Sequence, residues 1–204
     1  MTSSSTACSN LPSYPESLYC CAGGGVVNGS PLICGGAYGV DSCYAFDKSN
    51  NQWKLHCNLN SKRNHHASTV LKGTLFNTGG WDDSTTLASS EYVYANGTVE
   101  SGPNLPEATQ GHCIIGGTLS RNVIIFDPAD NSYTNGPSLT YGRGFFGCAL
   151  FKSALHNGRP VVLAAGGQLV NTEVYDYTYA NQWQTSIHTS HYYVTLIYVP
   201  YFRK

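Results

Sequence analysis

Four times along the chain an apolar run ends in a double glycine: "PLICGG" at 31–36, "TLFNTGG" at 74–80, "CIIGG" at 113–117 and "VVLAAGG" at 161–167. A unit repeated in this way constrains the fold more than any composition, because each copy must bury its apolar face against a neighbouring copy. After each double glycine comes a loop and a short aromatic-rich strand: "SCYAFD" at 42–47, "SEYVY" at 90–94, "VIIFD" at 123–127 and "TEVYD" at 172–176. Three of these close on an aromatic-Asp pair, Phe46-Asp47, Phe126-Asp127 and Tyr175-Asp176. A third element opens at Trp53, Val99, Tyr133 or Trp183. The register persists beyond it. Leu59, Leu105 and Leu139 each lie six residues after that position, and Arg63 and Arg143 four residues further on, with Thr109 in the equivalent place. The first glycines of the pairs, Gly35, Gly79, Gly116 and Gly166, are 44, 37 and 50 residues apart.

Composition agrees with a chain built of strands. The 22 glycines, 15 tyrosines and many Thr, Val and Ser residues favour strands and tight turns over helices. No capped helical periodicity is visible, nor an apolar run of about 18 residues that would span a bilayer. The expectation is a soluble all-β protein. Charged residues make up 11% of the chain and the net charge is −1, so no basic field for nucleic acid or acidic lipid is present; neither partner is expected.

The double glycines (Gly35-Gly36, Gly79-Gly80, Gly116-Gly117, Gly166-Gly167), the Asp47, Asp127 and Asp176 pairs and the spaced Trp53, Tyr133 and Trp183 together resemble the kelch family, over about residues 23–186. The resemblance implies a β-propeller of four-stranded antiparallel blades around an axis. In such a fold the glycines permit sharp turns and close approach, the aromatics fill the space between blades, and a buried Arg63 or Arg143 bonds loop carbonyls. The expected organisation is an N-terminal segment 1–22, repeats at about 23–59, 60–105, 106–139 and 140–186, and an atypical tail or closing strand 187–204. Kelch propellers generally have more than four blades, so a partial propeller is expected. Two departures support it. From the spaced leucine to the next double glycine there are 20 residues in 59–79 and 27 in 139–166 but only 11 in 105–116, which leaves the third repeat one strand short. The tail "SIHTSHYYVTLIYVPYFRK" lacks the Leu-x-x-x-Arg continuation, yet its "YYVTLIYV" has high β-propensity.

These motifs serve a scaffold, and no Ser-His-Asp, phosphate-loop or zinc-module spacing is present. The leading expectation is a non-enzymatic protein-interaction module, without cofactor, that presents loops of differing length and composition. In the loop after the second double glycine, Trp81, Asp82 and Asp83 are the candidate partner rim. Kelch partners include actin and the substrates of ubiquitin ligases; no BTB or BACK domain is visible ahead of the repeats in this sequence, so an adaptor role in ubiquitination would need another polypeptide or a further N-terminal region. A second class is a copper-radical oxidase resembling the galactose oxidase group, whose ligands would come from His65, His66 and His112. His66 and His112 hold equivalent repeat positions, with Phe146 in the same slot of the fourth repeat; the scaffold alone produces that equivalence. A degraded copy without independent function is a third reading. Eight cysteines and two glycosylation sequons, at Asn28 and Asn96, favour an extracellular setting, whereas the N-terminus shows no signal peptide and leaves a cytoplasmic one open. A Cys34–Cys43 disulfide is expected, with Cys57 as the competing partner.

Overall fold

The computed structural model describes residues 11–16, 21–38, 40–109, 120–143, 146–153, 157–166, 171–176 and 182–188. Among them are fourteen strands and no helix, arranged as four antiparallel sheets. The first holds β1 (Gly23–Val27), β2 (Ser30–Cys34), β3 (Ser42–Asp47) and β4 (Gln52–Asn58), in that order. The second holds β5 (Ala67–Leu71), β6 (Thr74–Thr78), β7 (Ser90–Val93) and β8 (Val99–Ser101), also in order. The third pairs β9 (Ile124–Asp127) with β10 (Ser132–Asn135). The fourth runs β11 (Phe146–Ser153), β12 (Arg159–Gly166), β13 (Asn171–Tyr175), β14 (Gln184–His188). Glycines 116 and 117, with the short stretch of the third repeat, lie outside the described residues, as do Gly167, His112 and the tail from 189 onward.

Local sequence explains the hairpins. Asn28-Gly29 joins β1 to β2 with φ of 48° and 77°, and Lys72-Gly73 joins β5 to β6 with 49° and 80°. Positive φ at both central residues is the turn that matches the twist of paired strands. Longer turns are tied by side chains: Asp47 Oδ1 accepts from the backbone N–H of Ser49 at 2.9 Å, and Asp127 Oδ1 from that of Ala129 at 2.8 Å.

Each sheet packs on the next. Val27, Leu32, Cys34, Cys43 and Leu59 of the first meet Leu75 and Val93 of the second in one core. Between second and third, Phe76 stacks on Phe126 at 4.8 Å, flanked by Tyr92 and Tyr133. Between third and fourth, Val123, Leu139, Ala164 and Trp183 form a second core. The spaced aromatics also tie sheets to the preceding link: Trp183 Nε1 donates to Pro137 O at 2.9 Å and Tyr133 Oη to Pro103 O at 3.3 Å. Trp53 has Tyr14 of the N-terminal segment against it, 5.1 Å away edge-on, and that tyrosine is also 5.3 Å from Tyr44.

The links are charged. Arg63, 0% exposed, follows the first sheet and reaches into the second: Nε and Nη2 donate to Glu91 Oε1 at 3.0 and 2.7 Å, and Nη1 to the carbonyls of Gly79 and Ser89. Glu91 also accepts from the backbone N–H of Asn60 and Ser61. Arg143 repeats this ahead of the fourth sheet. It donates to Glu173 at 3.0 Å and to Gly166 O at 2.7 Å, while Glu173 accepts from the N–H of Thr140 and Tyr141. The link from second to third sheet drops the whole arrangement. Hydrogen bonds from the backbone of Leu59, Leu105 and Leu139 to Asp41, Ala88 and Arg121 fix the equivalence of the repeats. By that register Thr109 stands for arginine, Ile124 for glutamate, and Pro106, which has no N–H, for Asn60 and Thr140. Cation and anion are absent together, and with them the first of the two backbone donors, so no buried charge is left unmatched.

Candidate functional site

Strand order puts two kinds of connection at opposite ends of the sheets. The tight hairpins, including the turns that carry Asn28 and Asn96, lie at one end, and both asparagines are exposed. Asn96 Oδ1 accepts from Thr98 N–H at 3.0 Å. A groove of about 550 Å³ opens there, lined by Asn28, Phe46, Asp47, Lys54, Leu55 and His56 among others. Lys54 and Asp47 pair across it at 2.6 Å, and the lysine ammonium, with the Ser49 and Asn50 donors, holds the Asp47 carboxyl well below the usual range.

The loops that follow the double glycines, and the links between sheets, meet at the other end in a hydrogen-bonded strip. Gly36 N–H donates to Arg63 O at 2.9 Å, Asn64 and Trp81 exchange two backbone bonds of 2.9 Å, and Gly80 N–H donates to Thr109 O at 2.7 Å. The glycines make this approach possible: a Cβ on Gly35 would run into the Arg63 carbonyl, and one on Gly79 would lie 2.6 Å from the Thr109 carbonyl, both at positive φ. The Cys34–Cys43 disulfide forms as expected, closing the loop that carries Tyr38. The cause is register, since Cys34 on β2 faces Cys43 on β3. Cys21 and Cys148 are also disulfide-bonded.

Tyr38 is 78% exposed, with φ of 66°. Trp81 is half-buried, fixed by bridges to Asn64 and Thr86. Asp82 bends its own loop, accepting from the N–H of Ser84 and Thr85 at 2.9 and 2.7 Å and from the Ser84 hydroxyl at 2.7 Å; these bonds hold its carboxyl down at about 2. Asp83, at φ 74°, accepts from Asn64 Nδ2 at 3.0 Å. That bond turns Asn64 Oδ1 toward His65 Nδ1, 2.8 Å away, and His65 Nε2 stands 2.9 Å from Cys21 Sγ. With Nδ1 carrying the proton toward Asn64, the neutral ring has no Nε2–H to give the disulfide sulfur, and burial lowers the His65 pKa further from protonation; the bond that ties Cys21 to this site is the His65 backbone N–H donating to Cys21 O at 3.0 Å. Cys21, in a disulfide, is not a thiolate nucleophile. The chain Asp83, Asn64, His65, Cys21 therefore orders three segments of the strip. His66 is fully buried among the glycines, so that a Cβ on Gly80 would lie 2.9 Å from its own Cβ. Among the described residues no group of three or more His, Cys, Asp or Glu converges as a metal site.

Sequence reasoning singled out Arg63, Arg143, Trp81, Asp82 and Asp83 but not Glu91, Glu173, Asn64 or Cys21. Glu91 had a signal: it stands two residues after the bond that closes its loop, Gly79 N–H to Ser89 O, in the slot that holds Tyr44 in the first repeat. At that slot in the first sheet the acid comes from the other side. Glu16 of the N-terminal segment accepts from Ser42 Oγ at 2.8 and 2.7 Å and from Tyr44 Oη at 3.3 Å.

No protein-family profile and no curated protein matches the sequence. Among solved structures, the structure of YjhT is similar to 88% of this chain and 68% of its own, with a TM-score of 0.69 at 14% identity. At that identity the likeness is one of fold.

Proposed function

We propose that this chain is a kelch-type β-propeller, built of about four repeats and partial as a ring, that acts as a non-catalytic protein-interaction scaffold. The repeated arginine-glutamate links, the double glycines set against them and the likeness of fold to YjhT support the architecture. One observation carries the function. The loop end is a hydrogen-bonded strip whose loops, of differing sequence, carry Tyr38 at 78% exposure and the half-buried Trp81, while Asn64 and His65 are engaged in ordering it. An exposed aromatic at an end tied by backbone hydrogen bonds suits a protein partner, because less ordering entropy remains to be lost on binding. The disulfide and the two sequons at the hairpin end favour an extracellular protein, glycosylated away from the binding end.

The test is a photo-crosslinking side chain placed at Tyr38 in one sample and at Lys72, on the hairpin end, in another. The reading expects a saturable adduct with one protein from position 38, competed away by unmodified chain and absent from position 72. Equal adducts from both ends would reject it. Stoichiometric copper in the purified protein, with turnover of an alcohol substrate, would replace it with the oxidase reading.

A further inference from the structure

The first sheet carries three cysteines in one row. Cys34 on β2 faces Cys43 on β3, and Cys43 faces Cys57 on β4. Residues paired across antiparallel strands project to the same side of a sheet. Cys57 accordingly packs against the apolar cluster that contains Cys34 and Cys43. The disulfide joins Cys34 to Cys43, and Cys57 is a half-buried free thiol. Strand order β2-β3-β4 makes Cys43 the middle member of the row. Displacement at sulfur needs attacking, central and leaving sulfurs in line, and a row across three adjacent strands supplies that order.

We propose that this row is an intramolecular thiol–disulfide exchange site, in which Cys57 displaces Cys34 from Cys43. Cys57 loses its proton to hydroxide, and a lone pair on its Sγ attacks Cys43 Sγ. The Cys57–Cys43 bond forms as the Cys43–Cys34 bond breaks, and the electron pair leaves with Cys34 Sγ, which takes a proton from water. One disulfide and one thiol exist before and after, so no oxidant or reductant is consumed.

Two structural consequences follow. Cys34 and Cys43 are each 0% exposed, so a small thiol or oxidant in solution meets the row through Cys57. The exchange also moves the covalent staple from β2–β3 to β3–β4, which releases the loop carrying Tyr38 while leaving β4 tied to β3. The site is held back under ordinary conditions: burial, and then the negative charge of Glu91, push the Cys57 thiol up to about 11. Glu91 is itself paired with Arg63, and the remaining neighbours of Cys57 in that cluster are apolar.

The exchange does not depend on which end of the molecule binds a partner, and its test needs no partner. Cleavage before aspartate places the three cysteines in separate peptides, because Asp41 lies between Cys34 and Cys43 and Asp47 between Cys43 and Cys57. The oxidised chain is held at neutral pH or at about pH 10 without added thiol, quenched with N-ethylmaleimide and mapped without reduction. At neutral pH the expected product is the Cys34–Cys43 bond with Cys57 alkylated. After the alkaline hold, a Cys43–Cys57 bond with alkylated Cys34 is expected, and Cys57→Ser should abolish it. A Cys34→Ser chain should form the Cys43–Cys57 bond during oxidative folding. Recovery of only the original pairing after the alkaline hold overturns the proposal. So does a scatter of pairings over all the cysteines, which would mean unfolding in place of a directed exchange.

Discussion

At the scale of single residues, the arginine-glutamate pairs dominate. Arg63 and Glu91 are 0% and 2% exposed, so removing one partner strands the other in a dry interior. Such a loss costs about 3–5 kcal/mol, and Arg63→Ala and Arg143→Ala should each lower the free energy of unfolding by that order, read from the shift of the urea midpoint; a change below about 1 kcal/mol would mean that the pair is solvated. The uncharged link between second and third sheets supplies a sharper test. The double change Arg63→Thr with Glu91→Ile copies Thr109 and Ile124, and should be less destabilising than Arg63→Thr alone, with the coupling read from a double-mutant cycle. The arginines were legible in the sequence because they recur four residues after the spaced leucines. Their partners were not, since each glutamate pairs at a separation of 28 or 30 residues and its slot holds Tyr44 and Ile124 in the other repeats. The site around Asn64 and His65 was hidden for a related reason: Cys21 and Asp83 are 44 and 19 residues from the neighbours they meet, and reach them only in the folded chain.

At the scale of elements, the strands and hairpins were the most legible layer, because period-2 patterning and Asn-Gly turns act locally. The facing of Cys34 and Cys43 was likewise readable, since both flank one short loop. Deleting that bond with Cys43→Ser, which leaves Cys34 and Cys57 on strands that are not neighbours, should lower stability by roughly 2–3 kcal/mol in the chain-entropy account of a loop this short, measured by chemical denaturation under oxidising conditions. Gly79→Ala tests the joint between a strand end and the following link. A Cβ there lies 2.6 Å from the Thr109 carbonyl at φ +66°, so the loss should exceed about 1 kcal/mol. Gly29→Ala is the control, because nothing lies within 4 Å of its Cβ position and only its φ of +77° opposes the change.

At the scale of the whole molecule, proton linkage sets the pH window of stability. Cys57, with its pKa raised from 9.0 to about 11, and Tyr14, raised by burial and then by Glu16, bind protons more tightly folded than unfolded. Their contribution is complete below about pH 9 and is lost as pH rises through the folded values, so the thermal midpoint should fall on the alkaline side. Asp82, held down to about 2 from 3.8, works in the other direction: its contribution is present above about pH 4 and disappears as pH falls toward 2. Flat stability from pH 8 to pH 11 would mean that neither Cys57 nor Tyr14 is sequestered. Architecture at this scale was legible only as repetition, because how sheets pack on one another depends on contacts between distant repeats. The charge-free link has a consequence for how such chains change over generations. A buried glutamate deprived of its arginine can take up a proton and become neutral, whereas a buried guanidinium deprived of its glutamate has no such escape. A lineage that converts a charged link to an uncharged one meets the shallower fitness valley by losing arginine first, and one that restores the charge does so by gaining glutamate first.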